Sequence, residues 1–176
     1  MISLAQLKAI MPRAGQRATV FLEPINRAMD LFEINSPLRQ AAFLAQIAHE
    51  SGSLRYTAEI PSGAAYEFRK DLGNTSAGDG KRYKGRGLIQ ITGRDNYRAC
   101  SSALYNDPDI FLGHPEMLET VTLASESAAW WWKTHGLNEL ADAGRFERIT
   151  RIINGGLNGF AERTALYLEA KKVLAC

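Results

Sequence analysis

The sequence predicts a mainly α-helical protein with one small β element and a loop-rich segment beside it. Three observations predict this class. Apolar residues recur at three- and four-residue intervals through most of the 176-residue chain. A single short run, residues 88–92 (Leu-Ile-Gln-Ile-Thr), reads as a strand. Between residues 60 and 82 the periodicity gives way to turn residues, with Pro61, Gly63, Gly73, Gly78 and Gly80 among them.

Taken in order, Ser3 caps a first helix whose Leu4, Leu7, Ile10 and Met11 share a face, and Pro12 ends it. Residues 18–32 form a second helix with Phe21, Leu22, Ile25, Met29 and Phe32 on one side. Pro24 either sets its start or kinks it. Ser36 as N-cap and Pro37 at the first helical position open a third helix. Its Leu38, Ala41, Ala42, Phe43, Leu44, Ala45, Ile47 and Ala48 surround it with apolar groups, so it packs on most sides. Residues 66–72 suit a short helix within the loop-rich segment, and residues 60–82 as a whole read as a mobile flap or small lobe.

A helix follows over 95–104, then a loop over 106–115 and a strong helix over 115–132. The adjacent Trp130, Trp131 and Trp132 cannot share one helix face. One or two belong to the core, which leaves the third to line a groove. Two short helices over 137–143 and 145–153 are split by Gly144, and the second stops on Gly155 and Gly156. A closing helix over 161–175 turns Leu166, Leu168 and Val173 inward. No repeat, low-complexity tract or linker divides the chain. The expectation is one domain over 1–176 without a second binding module.

Composition narrows the function classes. A net charge of +2 is too small for a nucleic-acid binder, though it suits an anionic surface such as a cell wall. His49, His114 and His135 are scattered, and no CxxC pattern accompanies them, so neither a metal nor a cofactor is expected. Gly85-Arg86-Gly87 lacks the spacing of a phosphate-binding loop. Cys100 and Cys176 read as free thiols, with one disulfide between them the alternative. Residues 1–10 are amphipathic rather than a signal peptide, and no run approaches the roughly 20 apolar residues of a membrane span.

The chemistry concentrates at the end of the third helix. Glu50 lies at its C-terminal end, where the helix dipole and apolar packing favour the protonated carboxyl, as a general acid requires. Glu59 follows a short segment containing Gly52, which lets the chain return it towards Glu50. Two carboxylates in different surroundings across a cleft are the groups that cleave a glycosidic bond. Gln90 and Thr92, on one face of the expected strand, and Asn96 beyond the Gly93 turn suit sugar hydroxyls, acetamido groups or a positioned water. Asn154 sits at the stop of the residue 145–153 helix, as a cap or a substrate contact.

Four motifs in this order carry a family resemblance: His49-Glu50-Ser51, Glu59, the stretch from Tyr83 to Tyr97 (YKGRGLIQITGRDNY), and Ile153-Asn-Gly-Gly-Leu157 with Arg163. Over about residues 36–170 the chain resembles family 19 glycoside hydrolases, and within them the single-domain endolysins of tailed phages and prophages. The resemblance implies a mainly α, lysozyme-like α+β fold with a cleft between lobes, and an inverting mechanism. It implies Glu50 as general acid, Glu59 as general base or water-positioning carboxylate, and Thr92 as holder of the nucleophilic water. Gln90, Asn96 and Asn154 match substrate-binding positions, and Arg163 matches an arginine near the site; Tyr97, at the end of the third motif, is taken with them as a substrate-binding candidate.

Two departures from the plant-type pattern are visible. The long insertion between the two carboxylates is missing, and Leu157-Asn158 stands where an acidic residue follows Asn-Gly-Gly.

The resulting expectation is a monomeric peptidoglycan hydrolase that cuts β-1,4 bonds between N-acetylmuramic acid and N-acetylglucosamine. The resemblance implies that it is stored in the host bacterial cytoplasm, released through a holin-type pore without stable membrane insertion, and active on glycan strands in the periplasm. A chitinase acting on N-acetylglucosamine polymers shares the mechanism. A lytic transglycosylase needs only one acid/base glutamate, so Glu59 and Thr92 argue against it. A non-catalytic saccharide-binding module has no need of both glutamates.

Overall fold

The computed structural model describes all 176 residues, as a bundle of ten α-helices with short 3-10 turns between them. The helices are α1 (Leu4–Ile10), α2 (Arg17–Leu31), α3 (Pro37–Glu50), α4 (Asp79–Arg82) and α5 (Arg94–Tyr105). They continue with α6 (Ile110–Gly113), α7 (Val121–Thr134), α8 (Leu137–Asp142), α9 (Phe146–Asn154) and α10 (Phe160–Leu174). None is long and apolar enough to cross a membrane.

Helix α3 is the centre of the molecule. Ser36 Oγ accepts from the Arg39 N–H at 3.2 Å, and Pro37 takes the first helical position. Every side chain from Gln40 to Ala48 is buried, as an apolar surface all round requires. Helix α10 lies along α3 and α2 lies along α7. Their facing residues form one core that includes Leu7, Ile25, Phe43, Ile47, Trp132 and Ile149. A second, smaller cluster gathers Tyr83, Ile91, Tyr97, Cys100, Phe111 and Trp130.

Several sequence expectations are corrected. Residues 88–92 are not a strand. Arg86 and Ile91 exchange both main-chain hydrogen bonds (3.1 and 2.7 Å), which folds the residues between them into a turn. Leu88 and Ile89 are buried on either reading, so the apolar run did not distinguish strand from turn. The expected 115–132 helix is broken. A 3-10 turn over Pro115–Glu119 ends at Thr120, whose extended backbone starts α7 afresh. The 106–115 loop contains the single turn α6. Helix α2 starts at Arg17 and runs through Pro24. In α10 the buried face is Arg163, Tyr167 and Ala170, and Leu168, one position round from Tyr167, is exposed. Trp130 and Trp132 are buried. Trp131 stacks on His135 (ring centroids 3.8 Å apart) and lines no groove beside the glutamates.

Residues 60–82 are held by polar groups rather than by an apolar core. The expected 66–72 helix is two 3-10 turns, Ala64–Tyr66 and Lys70–Leu72. Glu67 accepts from the Gly80 N–H at 2.8 Å, and buried Asn74 bridges Tyr66 O and the Arg94 N–H, both at 2.9 Å. Buried Asp79 accepts from the Thr75 and Ser76 N–H groups and pairs with Arg94. That pair ties the segment to the start of α5.

Candidate active site

Glu50 is the last residue of α3. The chain leaves it by an unusual route. Gly52, Ser53 and Leu54 all have positive φ (58°, 60° and 64°), which is costly for the two non-glycine residues. The turn is held by Ser53 N–H to Ala48 O (2.7 Å), by Leu54 N–H to Ser51 Oγ (2.8 Å), and by burial of the Leu54 side chain. It reverses the chain within a few residues, so that Ala58 pairs antiparallel with Arg86. Glu59 is thereby brought back towards the end of α3.

Glu59 is fixed on all sides. Its N–H donates to Gly85 O (2.9 Å), and its Oε1 accepts from the Gly85 N–H (2.8 Å). Its Oε2 accepts from the Tyr66 hydroxyl (3.0 Å), and Lys84 Nζ donates to its carbonyl (3.0 Å). Burial raises the Tyr66 pKa and the Glu59 contact adds to it, so the phenol keeps its proton and stays a donor. Gly85 also fits a close approach, since a Cβ there would stand 2.8 Å from Gln90 Oε1.

Glu50 is held differently. Arg163 Nη2 lies 2.5 Å from its Oε1, and the Arg163 side chain is only 1% exposed. The contact is an ion pair off the N–H axis rather than an aligned hydrogen bond. Arg163 is positioned in turn by Gln46 Oε1, which accepts from its Nη1, and by Asn158 O, which accepts from its Nε at 3.2 Å. Gln46 Nε2 donates to Thr150 Oγ1 (2.9 Å). The chain from α9 through α3 to α10 therefore ends on the Glu50 carboxylate. The helix-end argument applied to Glu50 left this cation out.

The two glutamates line one open groove of about 340 Å³ together with Tyr56, Ile60, Pro61 and Gln90. Of the expected residues, the structure thus brings together Glu50, Glu59 and Gln90. Thr92 is half-buried beyond the Gln90 turn. Its hydroxyl makes only a long 3.5 Å approach to Gln90 O, which leaves it capacity to bond a water. Asn96 is exposed and donates to Thr92 O at 2.7 Å. Asn154 accepts from the Asn158 N–H at 3.1 Å, which makes it a cap of the α9 stop.

Two assignments are corrected. Tyr97 is fully buried and its hydroxyl is engaged by Lys84 O (2.6 Å) and Arg86 Nη1 (2.9 Å), so it supports the loop from beneath and touches no substrate. Arg163 is buried behind Glu50 and positions that carboxylate instead of meeting sugar. Sequence reasoning missed Gln46, Tyr56 and Tyr66. Gln46 had a signal: an amide within the apolar run of α3, four residues before Glu50 and so on its face. Tyr66 had none.

A helical scaffold that presents two separately anchored carboxylates to one open groove holds the groups that a glycoside hydrolase needs. Comparison with known proteins supplies the family. The family 19 glycoside hydrolase model, described as class I chitinase, matches residues 34–143. A Haemophilus influenzae protein described as containing a glycosyl hydrolase family 19 domain is 35% identical over 161 residues, covering 74% of this chain and 77% of that protein. An Arabidopsis thaliana endochitinase is 38% identical over 120 residues, covering 66% of this chain but 39% of its own length. Streptomyces griseus chitinase C superposes with a TM-score of 0.77 at 24% identity, over 99% of this chain and 76% of that one. A class IV chitinase from Zea mays gives 0.69 at 25% identity, over 89% and 80%. The chain belongs to glycoside hydrolase family 19. Asn154 and Arg163 lie beyond the matched segment, and their placement rests on the geometry above.

Proposed function

We propose that this enzyme is an endolysin that hydrolyses the β-1,4 bond between N-acetylmuramic acid and N-acetylglucosamine in peptidoglycan, with inversion at the anomeric carbon. The observation that carries the reading is the groove with Glu50 on one element and Glu59 on another, each carboxylate fixed by its own partners. Glu50 protonates the leaving oxygen. Glu59, oriented by Tyr66 and the Gly85 N–H, takes a proton from a water on the opposite sugar face, which the Thr92 hydroxyl helps to hold. Gln90 faces the groove with an amide suited to an acetamido group. The protein works as a monomer on glycan strands in the periplasm, after release from the host bacterial cytoplasm through a holin-type pore.

The second reading is a chitinase, favoured by the names of the plant relatives and of the superposed structures. Mass spectrometry of purified peptidoglycan digested by the wild type and by Glu50→Gln separates the two. The proposal expects reducing muramic-acid ends from the wild type and none from the variant, since a general acid contributes roughly 10²–10⁴-fold. Anhydro-muramic ends refute hydrolysis. Intact peptidoglycan alongside cleaved N-acetylglucosamine oligomers refutes the endolysin reading.

A further inference from the structure

Beyond the end of α3 lies a second open groove, also of about 340 Å³, which no step of the glycosidic chemistry uses. Its wall is cationic: Arg13, Arg17 and Arg55 border it with His49, Tyr56 and Glu162. Glu162 is the one carboxylate in this lining and is already engaged. Arg13 Nη2 donates to it at 2.8 Å, and His49 Nδ1 lies 3.0 Å from its other oxygen. Arg17 directs its donors to main-chain carbonyls, Arg13 O at 2.7 Å and Ser53 O at 3.4 Å, which leaves its charge without a counter-ion. Arg55 pairs with no carboxylate, and its guanidinium sits 5.1 Å over the centroid of the Tyr56 ring. That ring is 37% exposed and also lines the groove of Glu50 and Glu59, so the two grooves meet on it.

We infer that this second groove is an anion subsite, in which Arg17 and Arg55 receive a carboxylate carried by the glycan strand held at Glu50. The inference rests on the peptidoglycan reading and names what would make the site prefer that polymer. A polymer of N-acetylglucosamine alone has no ionised group. A peptidoglycan strand presents either the lactyl carboxylate of a stripped muramic acid or the carboxylates of its stem peptide. A guanidinium fork matches a carboxylate in two parallel hydrogen bonds, and a cleft wall of one sign draws the anion in. Arg13, neutralised by Glu162, shapes the groove without adding free charge.

The test compares kcat/KM on three substrates: intact peptidoglycan, strands freed of stem peptides by an amidase, and neutral N-acetylglucosamine oligomers. The quantity read is the preference for carboxylated over neutral substrate. In the Arg17→Gln/Arg55→Gln double variant that preference falls roughly tenfold, as expected for two charge-assisted contacts, one half-buried and one exposed. Loss on the stripped strands alone assigns the lactyl carboxylate, which is free only there; loss on intact peptidoglycan alone assigns the stem peptide; loss on both shows that the subsite takes either. An unchanged preference overturns the subsite. Arg55→Gln alone guards against a folding artefact, because the Arg55 side chain is exposed and pairs with no carboxylate; it must lower the preference at an unchanged melting temperature.

A wild type that cleaves neutral oligomers but not peptidoglycan ends the endolysin reading. The subsite is then judged by calorimetric titration of the Glu50→Gln protein with a disaccharide-peptide and with a neutral oligomer. A salt-sensitive preference for the first that the arginine changes abolish supports the subsite. Equal affinities overturn it.

Discussion

Gln46 is the residue whose replacement probes the site from behind. It is fully buried, gives one hydrogen bond to Thr150 Oγ1, and accepts one from the Arg163 guanidinium that faces Glu50. Gln46→Leu keeps the volume and removes both bonds. A buried charged donor that loses its acceptor costs about 1.5–3 kcal/mol. The added apolar burial returns about 1 kcal/mol. Thr150 loses little, because its hydroxyl already donates to Phe146 O at 3.2 Å. The net expectation is a loss of roughly 0.5–2 kcal/mol, a melting temperature lower by about 1–8 °C for a chain of this size. Arg163 keeps only Asn158 O as a fixed partner, so the Glu50 carboxylate loses its register. A misplacement of about 1 Å at a reacting group can cost roughly 10²-fold. A tenfold or larger fall in kcat with little change in KM is therefore expected, since Gln46 does not reach the groove. Urea melts and steady-state kinetics on glycan fragments measure both. Gln46→Glu restores an acceptor for Arg163 and should recover stability, yet it competes with Glu50 for the cation and should not recover kcat. A Gln46→Leu enzyme within about 0.5 kcal/mol and about twofold of wild type would refute the relay.

Other changes test other parts of the account. Tyr66→Phe removes the donor to Glu59 Oε2 but leaves the Gly85 N–H on Oε1. We expect a three- to tenfold loss in kcat and about 0.5–1.5 kcal/mol in stability, read by kinetics and thermal melting. Asp79→Asn breaks the buried pair with Arg94, whose guanidinium holds the Asp79 carboxyl below its ordinary 3.8. Because the folded pKa is depressed, the stabilisation is complete above 3.8 and is lost as pH falls through the lower folded value. Arg94 is partly exposed, so the expected cost at pH 7 is about 2 kcal/mol. The gap between variant and wild type should close in denaturant melts taken at successively lower pH below 3.8; a gap constant with pH would show that the pair is not its source. Gly159→Ala places a Cβ 2.4 Å from the His49 ring at φ +69°, so stability should fall by more than the roughly 1 kcal/mol of the backbone strain alone.

Much of the scaffold was legible because its helices are bounded by local chemistry. Ser36 and Pro37 start α3 where capping rules put it, and Gly144 divides α8 from α9. Glu50, Glu59 and Gln90 were legible as a set, and the structure puts them on one groove. What was not legible depends on tertiary partners. The turn at Leu88 is decided by its N–H bonding to Ala124 O at 3.1 Å, and by Gly87, where a Cβ would stand 2.7 Å from Ser127 Oγ. The break at Thr120 depends on its hydroxyl bonding back to Met117 O at 2.7 Å instead of capping α7. Tyr97 and Arg163 were placed at the substrate because a motif gives position but not depth, and both lie beneath the surface they support. Arg163 itself is held by Gln46 and by Asn158 O, partners that spacing along the chain does not reveal.

The central claim is that Glu50 and Glu59 act as an acid and a base on opposite faces of one sugar. Proton NMR of freshly formed product tests it most directly, because it reads the anomeric configuration before mutarotation, on whichever β-linked substrate is cleaved. The account predicts the α-anomer from wild type, and no product above background from Glu50→Gln or Glu59→Gln. A β-anomer as first product, or full turnover in the Glu59→Gln enzyme, would contradict it.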